Sequence, residues 1–166
     1  MSYVSEYFAN PSTIIVTGST DIDQINLVNS MLGQMDYSDI WVYSPRSNLY
    51  VGSFRLIGCL SAFIHNLTNQ KYVSDCLLVI IDSPPVQDLP SVYKLLSMAQ
   101  THDIYIILVD SGEIAKSEKM MGYIDYKCSV DISCGESKPL CFLYSDLKSC
   151  EKPTQIEVSF NKNIKN

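Results

Sequence analysis

The sequence predicts an α/β fold: a mostly parallel sheet flanked by helices and closed by antiparallel strands at its C-terminal end. Three observations carry this prediction. Four short apolar runs, Thr13–Thr17, Ile40–Tyr43, Cys76–Ile81 and Ile104–Val109, lie far apart along the chain. The stretches between them place apolar residues at helical spacing. After Tyr126 the pattern changes to successive strand-like runs with turn residues between them. Strands separated by helices pair in parallel, with the helices packed on the sheet faces, whereas strands joined by turns pair antiparallel.

Each element has its own residues. The first helix is expected over Ile22–Met35, where Ile22, Ile25, Val28, Leu32 and Met35 share one face. The second is expected over Phe54–Thr68, with Leu56, Leu60, Phe63, Ile64 and Leu67 as its apolar stripe. The third, Leu89–Thr101, offers Val92, Leu95, Leu96 and Ala99. The closing strands are Tyr126–Ile132, Leu140–Ser145 and Ile156–Phe160, with turns at Cys134-Gly135-Glu136 and Lys148–Pro153. The chain reads as one domain, with a short N-terminal segment over residues 1–11, a core over 12–160 and a polar tail over 161–166.

Composition narrows the function. In 166 residues, apolar types make up 46% and charged types 18%, which fits a chain able to bury a core. A net charge of −6 with only 12 basic residues makes this chain a poor lone ligand for nucleic acid, since phosphate binding needs clustered Lys and Arg. Met1 to Pro11 shows no basic region followed by an apolar stretch, so no signal peptide is expected, and the longest apolar runs are too short to cross a bilayer. Cys59, Cys76, Cys128, Cys134, Cys141 and Cys150 contain no CxxC pair, which points to buried thiols in a reducing compartment. The last four are spaced widely and irregularly, and zinc is a secondary reading for them.

Candidate chemistry gathers near the first strand. Ile14-Ile15-Val16-Thr17-Gly18-Ser19-Thr20 leads through Asp21-Ile22-Asp23-Gln24-Ile25 into a helix. A phosphate-binding P-loop is a strand, GxxxxGK[ST], then a helix. Counted from Gly18, its second glycine, lysine and hydroxyl residue fall on Asp23, Gln24 and Ile25. None of the three is kept, although the glycine admits the phosphates, the lysine neutralises them and the hydroxyl helps to hold Mg²⁺. Asp21 and Asp23 add negative charge there, and the plain alternative is a strand–turn–helix with Asp21 as the helix cap. A second feature, Cys76-Leu77-Leu78-Val79-Ile80-Ile81-Asp82-Ser83, is a buried strand ending in an acid. That is the Walker B form, whose acid holds Mg²⁺, and equally an ordinary strand with a capping Asp.

The order of these strings resembles the RecA-like recombinases. Leu77-Leu78-Val79-Ile80-Ile81-Asp82-Ser83, then Leu95-Leu96-Ser97-Met98-Ala99, then Ile104-Tyr105-Ile106-Ile107-Leu108-Val109-Asp110-Ser111 is similar to the middle of that family. Tyr126–Ser133, Leu140–Ser145 and Thr154–Phe160 before Asn163-Ile164 are similar to its closing hairpin and final strand. The likeness covers about residues 12–164 and is closest in kind to the small, degenerate recombinase paralogues of the Shu-complex type, companions of a SWIM-domain protein. It implies a RecA-like P-loop NTPase core that has lost its site. The catalytic glutamate falls near Pro45, the γ-phosphate-sensing glutamine near Ser111, and only the Walker B acid survives, as Asp82. The family's DNA-binding loops fall on Pro84–Pro90 and Gly112–Gly122, both short. Its N-terminal helical domain and polymerisation segment need far more than the residues before Ser12 and are expected to be absent. The implied protein is a nuclear, non-enzymatic subunit without cofactor or metal. It would scaffold a complex for homologous recombination and DNA repair, partnered by another recombinase paralogue or a SWIM-domain protein and meeting DNA through that complex. Two other readings stay open: a degenerate subunit of another P-loop assembly of clamp-loader or viral packaging type, and an NTPase completed in trans by a partner.

The remaining candidates are surfaces. Tyr3, Tyr7 and Phe8, with Trp41, Tyr43 and Tyr50, suggest an aromatic partner interface around the N-terminal segment, with core packing as the alternative. Lys116 and Lys119, with Lys127, Arg46 and Arg55, offer a modest basic strip for DNA, with a solvated face as the alternative. His65 and His102 read as surface or cap residues rather than ligands.

Overall fold

A computed structural model describes residues 2–3, 11–18, 20–33, 39–69, 77–109, 112–131, 140–144 and 154–157. Among these residues nine strands form one sheet, β1 (Ser2–Tyr3), β2 (Thr13–Gly18), β3 (Asp39–Tyr43), β4 (Arg55–Leu56), β5 (Leu77–Asp82), β6 (Ile104–Val109), β7 (Tyr126–Asp131), β8 (Leu140–Tyr144) and β9 (Thr154–Glu157). Their order across the sheet is β1-β9-β8-β7-β2-β6-β5-β3-β4. The block from β7 to β4 is wholly parallel, and β8 then pairs antiparallel with both β7 and β9. This is the predicted architecture of a parallel sheet with antiparallel closing strands. β1 was not foreseen: it lies parallel to β9, pairing Ser2 with Ile156 and Tyr3 with Glu157.

Alternation along β2 divides the core between two faces. Ile14 and Val16 point into a cluster with Ile25, Leu27, Val28 and Met31 of helix α1 (Asp21–Leu32). Ile15 points the other way, toward Leu60, Phe63 and Ile64 of α2 (Leu60–Asn69) and Val92, Leu95 and Leu96 of α3 (Leu89–Ala99). β5 and β6 are buried at every residue, because helices cover both faces of these central strands. A short helix α4 (Glu118–Met121) adds Met120 to the second cluster.

Two boundaries differ from expectation for local reasons. The second helix begins at Leu60 rather than Phe54, since Arg55 and Leu56 pair with Trp41 and Val42 as an edge strand. The pairing continues as Ile57 N donates to Val42 O at 2.8 Å. The cap of α1 is Thr20, not Asp21: its hydroxyl accepts from Asp23 N at 3.2 Å and donates to Asp23 Oδ2 at 2.6 Å. Asp21 is instead the first helical residue, and acids in a first turn are favourable beside the helix dipole.

Candidate functional site

The parallel strands deliver three segments to one edge of the sheet, their carboxyl ends, where open α/β sheets bind ligands. These are the start of α1 after β2, the residues after β3 and the end of β5. The first has contracted. A P-loop places four residues between its two glycines, room for the backbone to curl round a phosphate. Here Gly18 ends β2 and Asp21 begins α1, leaving Ser19 and Thr20 between them. Asp23, Gln24 and Ile25 therefore lie in the first turns of the helix rather than in a loop, which corrects the sequence reading of a loop carrying two acids.

Gln24 fills what remains. It is 7% exposed, and its Nε2 donates to Gly18 O at 3.1 Å. A Cβ on Gly18 would stand 3.2 Å from Gln24 Cγ and 3.5 Å from Val130 Cβ. Gly18, the place of the first P-loop glycine, leaves the room that the glutamine side chain takes up. Ile25, at the position of the metal-holding hydroxyl, is turned into the core at 1% exposure.

Asp82 closes β5 and is fully buried. A carboxylate so placed is costly unless each oxygen is satisfied. Arg46 meets both: Nη2 reaches Oδ1 at 2.8 Å and Nε donates to Oδ2 at 3.0 Å, the bidentate fork that suits a carboxylate. Ser44 Oγ donates to Oδ2 at 2.6 Å, and Ser83 Oγ to Oδ1 at 3.0 Å. The third guanidinium nitrogen, Nη1, reaches Asp21 Oδ2 at 2.7 Å. The Asp82 bond first, with Asp21 adding, drives the Arg46 pKa further above its usual range. Ser83 takes a left-handed φ of 49°, the one non-glycine among the described residues to do so, and its N–H donates to Val109 O at 2.8 Å.

The loop bearing Arg46 is itself anchored. Arg46 N donates to Ser44 Oγ at 3.0 Å. Buried Asn29 of α1 donates to Leu49 O and accepts from Val51 N, both at 3.0 Å. Tyr50 is 5% exposed, its buried hydroxyl lies beside Asp82 without hydrogen-bond geometry to it, and burial, then the Asp82 charge, pushes its pKa up. Next to Asp82 opens a cavity of about 430 Å³ lined by Tyr43, Ser44, Pro45, Ile57, Asp82 and Ser83, among others. Tyr43 hydrogen-bonds Asp88, and that bond first, then burial, pushes its pKa up to about 12.

These residues do not fit a nucleotide with Mg²⁺. Both Asp82 oxygens are taken by Arg46 and two serines, Gln24 lies over Gly18, no lysine stands at the helix start to meet a phosphate, and the Thr20 hydroxyl there is committed to Asp23. Pro45, at the position of the catalytic glutamate, has no group to polarise water. Ser111, the counterpart of the γ-phosphate sensor, lies outside the described residues.

The surface candidates separate. Arg46 leaves the supposed basic strip, since its guanidinium is committed to two carboxylates. Arg55 sits on edge strand β4, 5.4 Å over the Trp41 ring, while Lys127 lies on β7 at the far side of the parallel block, so the strip is broken. Lys116 and Lys119 are exposed on the 112–122 segment. Lys116 lies 3.7 Å from Glu113, and Lys119 lies 4.2 Å over the Tyr93 ring. Trp41 packs on Phe63 at 5.2 Å and Tyr50 joins the core, so both leave the aromatic interface set. Tyr3 enters the sheet through its backbone, and Tyr7 and Phe8 lie outside the described residues. Cys128 is buried as expected, but Cys59 is exposed just ahead of α2, where its thiol pKa is lowered first by the Ser61 hydroxyl.

No protein-family model matches the chain, and no curated protein matches it in sequence. Solved structures do match. The N-terminal domain of zonular occludens toxin from Neisseria meningitidis aligns over 93% of this chain and 97% of its own, with a TM-score of 0.63 at 12% identity. The RadB recombinase aligns over 81% of each chain, with a TM-score of 0.54 at 11% identity. ATPases 2 and 3 of EssC from Geobacillus thermodenitrificans align over 90% of this chain and 39% of theirs, with a TM-score of 0.60 at 8% identity. The fold is RecA-like, a mostly parallel α/β sheet flanked by helices. At these identities the likeness is one of fold, and the site residues above are what distinguish this core.

Proposed function

We propose that this chain is a non-catalytic RecA-like subunit, a recombinase paralogue of the Shu-complex type. In this reading it scaffolds a heteromeric nuclear complex that promotes homologous recombination and DNA repair. The observation that carries the non-catalytic part is Arg46, which spans Asp82 and Asp21 where a working site holds metal and phosphate. Phosphoryl transfer depends on electrostatic stabilisation by lysine and metal, and among the described residues this edge offers a phosphate neither a free cation nor an open loop. The recombination part rests on the string order from Leu77 to Ser111 and on the closing strands, and the RadB likeness supports it. Partners would be another recombinase paralogue or a SWIM-domain protein, with DNA met through the assembly. Calorimetric titration of the isolated chain with ATP·Mg²⁺ tests the first part, where tight binding would sink it. Purification of the complex from native cells tests the second, the expected companion being a SWIM-domain protein or a recombinase paralogue.

The likeness to the zonular occludens toxin domain and to EssC favours a second reading, a degenerate subunit of a different P-loop ATPase assembly. Co-purification with an active ATPase of such an assembly, and with no recombination protein, would select it.

A further inference from the structure

The carboxyl edge is more than a site that has lost its residues, because a cation of the chain itself sits on its acids. In a P-loop ATPase the Walker B acid and the hydroxyl that ends the P-loop hold Mg²⁺ between them, and the bound nucleotide bridges the same segments. In this chain the end of β5 carries Asp82 at the Walker B place, the hydroxyl's place is taken by buried Ile25, and the Arg46 guanidinium lies between Asp82 and Asp21, the first residue of α1. We propose that Arg46 is the resident cation of this site, a latch that ties β5, α1 and the loop after β3 together and makes the loaded arrangement of the core independent of nucleotide.

Four features support the latch. Every N–H-bearing nitrogen of the guanidinium has a carboxylate oxygen as partner, at 2.7 to 3.0 Å. The acid it pairs with is fully buried, where a carboxylate without a partner is costly. Its loop is fixed on α1 through Asn29, so the guanidinium is delivered to the site. The Tyr50 hydroxyl is buried on the same carboxylate and feels its charge, so Asp82 and Arg46 sit in an enclosed polar spot. A divalent ion would be lost on dilution or chelation, and a side chain cannot be. A subunit kept for its surfaces gains from such permanence, so the proposal rests on the non-catalytic reading and deepens it.

Thermal unfolding of the full chain without nucleotide tests the latch. Arg46→Met strands the Asp82 carboxylate and lowers Tm by roughly 10 °C. Adding Asp82→Asn to that variant removes the stranded charge and returns most of the loss. Arg46→Ala gives a readout that a merely structural arginine would not move: Mg²⁺ at about 10 mM raises its Tm by several degrees through Asp82 and Asp21. Wild type and Arg46→Ala/Asp82→Asn do not respond. An unchanged Tm in Arg46→Met, no recovery on adding Asp82→Asn, or a Mg²⁺ response no larger than that of wild type overturns the latch. Should Arg46→Ala alone not fold, the double variant decides, a folded protein supporting the latch and an unfolded one overturning it. These outcomes are separate from nucleotide binding: ATP·Mg²⁺ binding by wild type would remove the non-catalytic reading, whereas failure of the Tm pattern removes only the latch.

Discussion

The strand Leu77–Asp82 is buried along its whole length, yet its two ends live by different rules. From Leu77 to Ile81 the side chains alternate into two apolar clusters, with Leu78 and Ile80 under α1 and Val79 and Ile81 under α2 and α3. At Asp82 the environment becomes two serines and a guanidinium. The apolar stretch makes the RecA-like frame, and many aliphatic residues could do the same, since cores tolerate exchange at constant volume. The polar end tolerates little, because a buried charge demands its counterpart. On the proposed non-catalytic reading, the chain keeps the frame while its site is organised around one cation.

The comparison can be broken from the apolar side first. Leu78→Ala, at a fully buried position, should cost roughly 2–5 kcal/mol in urea unfolding, and a loss below about 1 kcal/mol would show that the frame is not close-packed there. At the rebuilt edge, Thr20→Ala removes the cap of α1 and should cost about 1 kcal/mol by the same measurement. An unchanged midpoint would mean that the Arg46–Asp21 contact alone holds the helix start. Tyr50→Phe sharpens the account of the pocket. Its hydroxyl makes no hydrogen bond, so the change should stay within about 1 kcal/mol of wild type, in either direction. A larger loss would make Tyr50 a working partner of Asp82. Lys116→Glu with Lys119→Glu should leave stability where it is, since both side chains are exposed. In the assembled complex the same pair should weaken DNA binding and flatten its salt dependence, and identical binding isotherms would discard the DNA role of this segment.

The frame was largely legible in the sequence because its signals are local. Ile104–Val109 announces a central strand by an apolar run alone, and Leu89–Ala99 announces a helix by the spacing of Val92, Leu95 and Leu96. Phe54–Cys59 misled because Leu56 and Leu60 satisfy a helical period, while the edge pairing with Val42 that prevails lies beyond any local window. The site was legible as a loss and hidden as a gain. The replaced positions Asp23, Gln24 and Ile25 could be counted from Gly18, and the helix start was legible to within a residue, Ile22 for Asp21. Arg46 read as one more surface cation because its partners, Asp21 and Asp82, lie on other elements and come together only through the parallel order of β2, β3 and β5. The nearest available signal was Ser44-Pro45-Arg46 at the end of a strand, a place where the fold puts working residues.

The central claim is that this edge is closed to nucleotide by its own side chains. Isothermal titration of the isolated wild-type chain with ATP·Mg²⁺ tests it most directly. The account predicts no saturable heat up to millimolar nucleotide. A one-to-one isotherm with a micromolar Kd, abolished by Asp82→Asn, would contradict it.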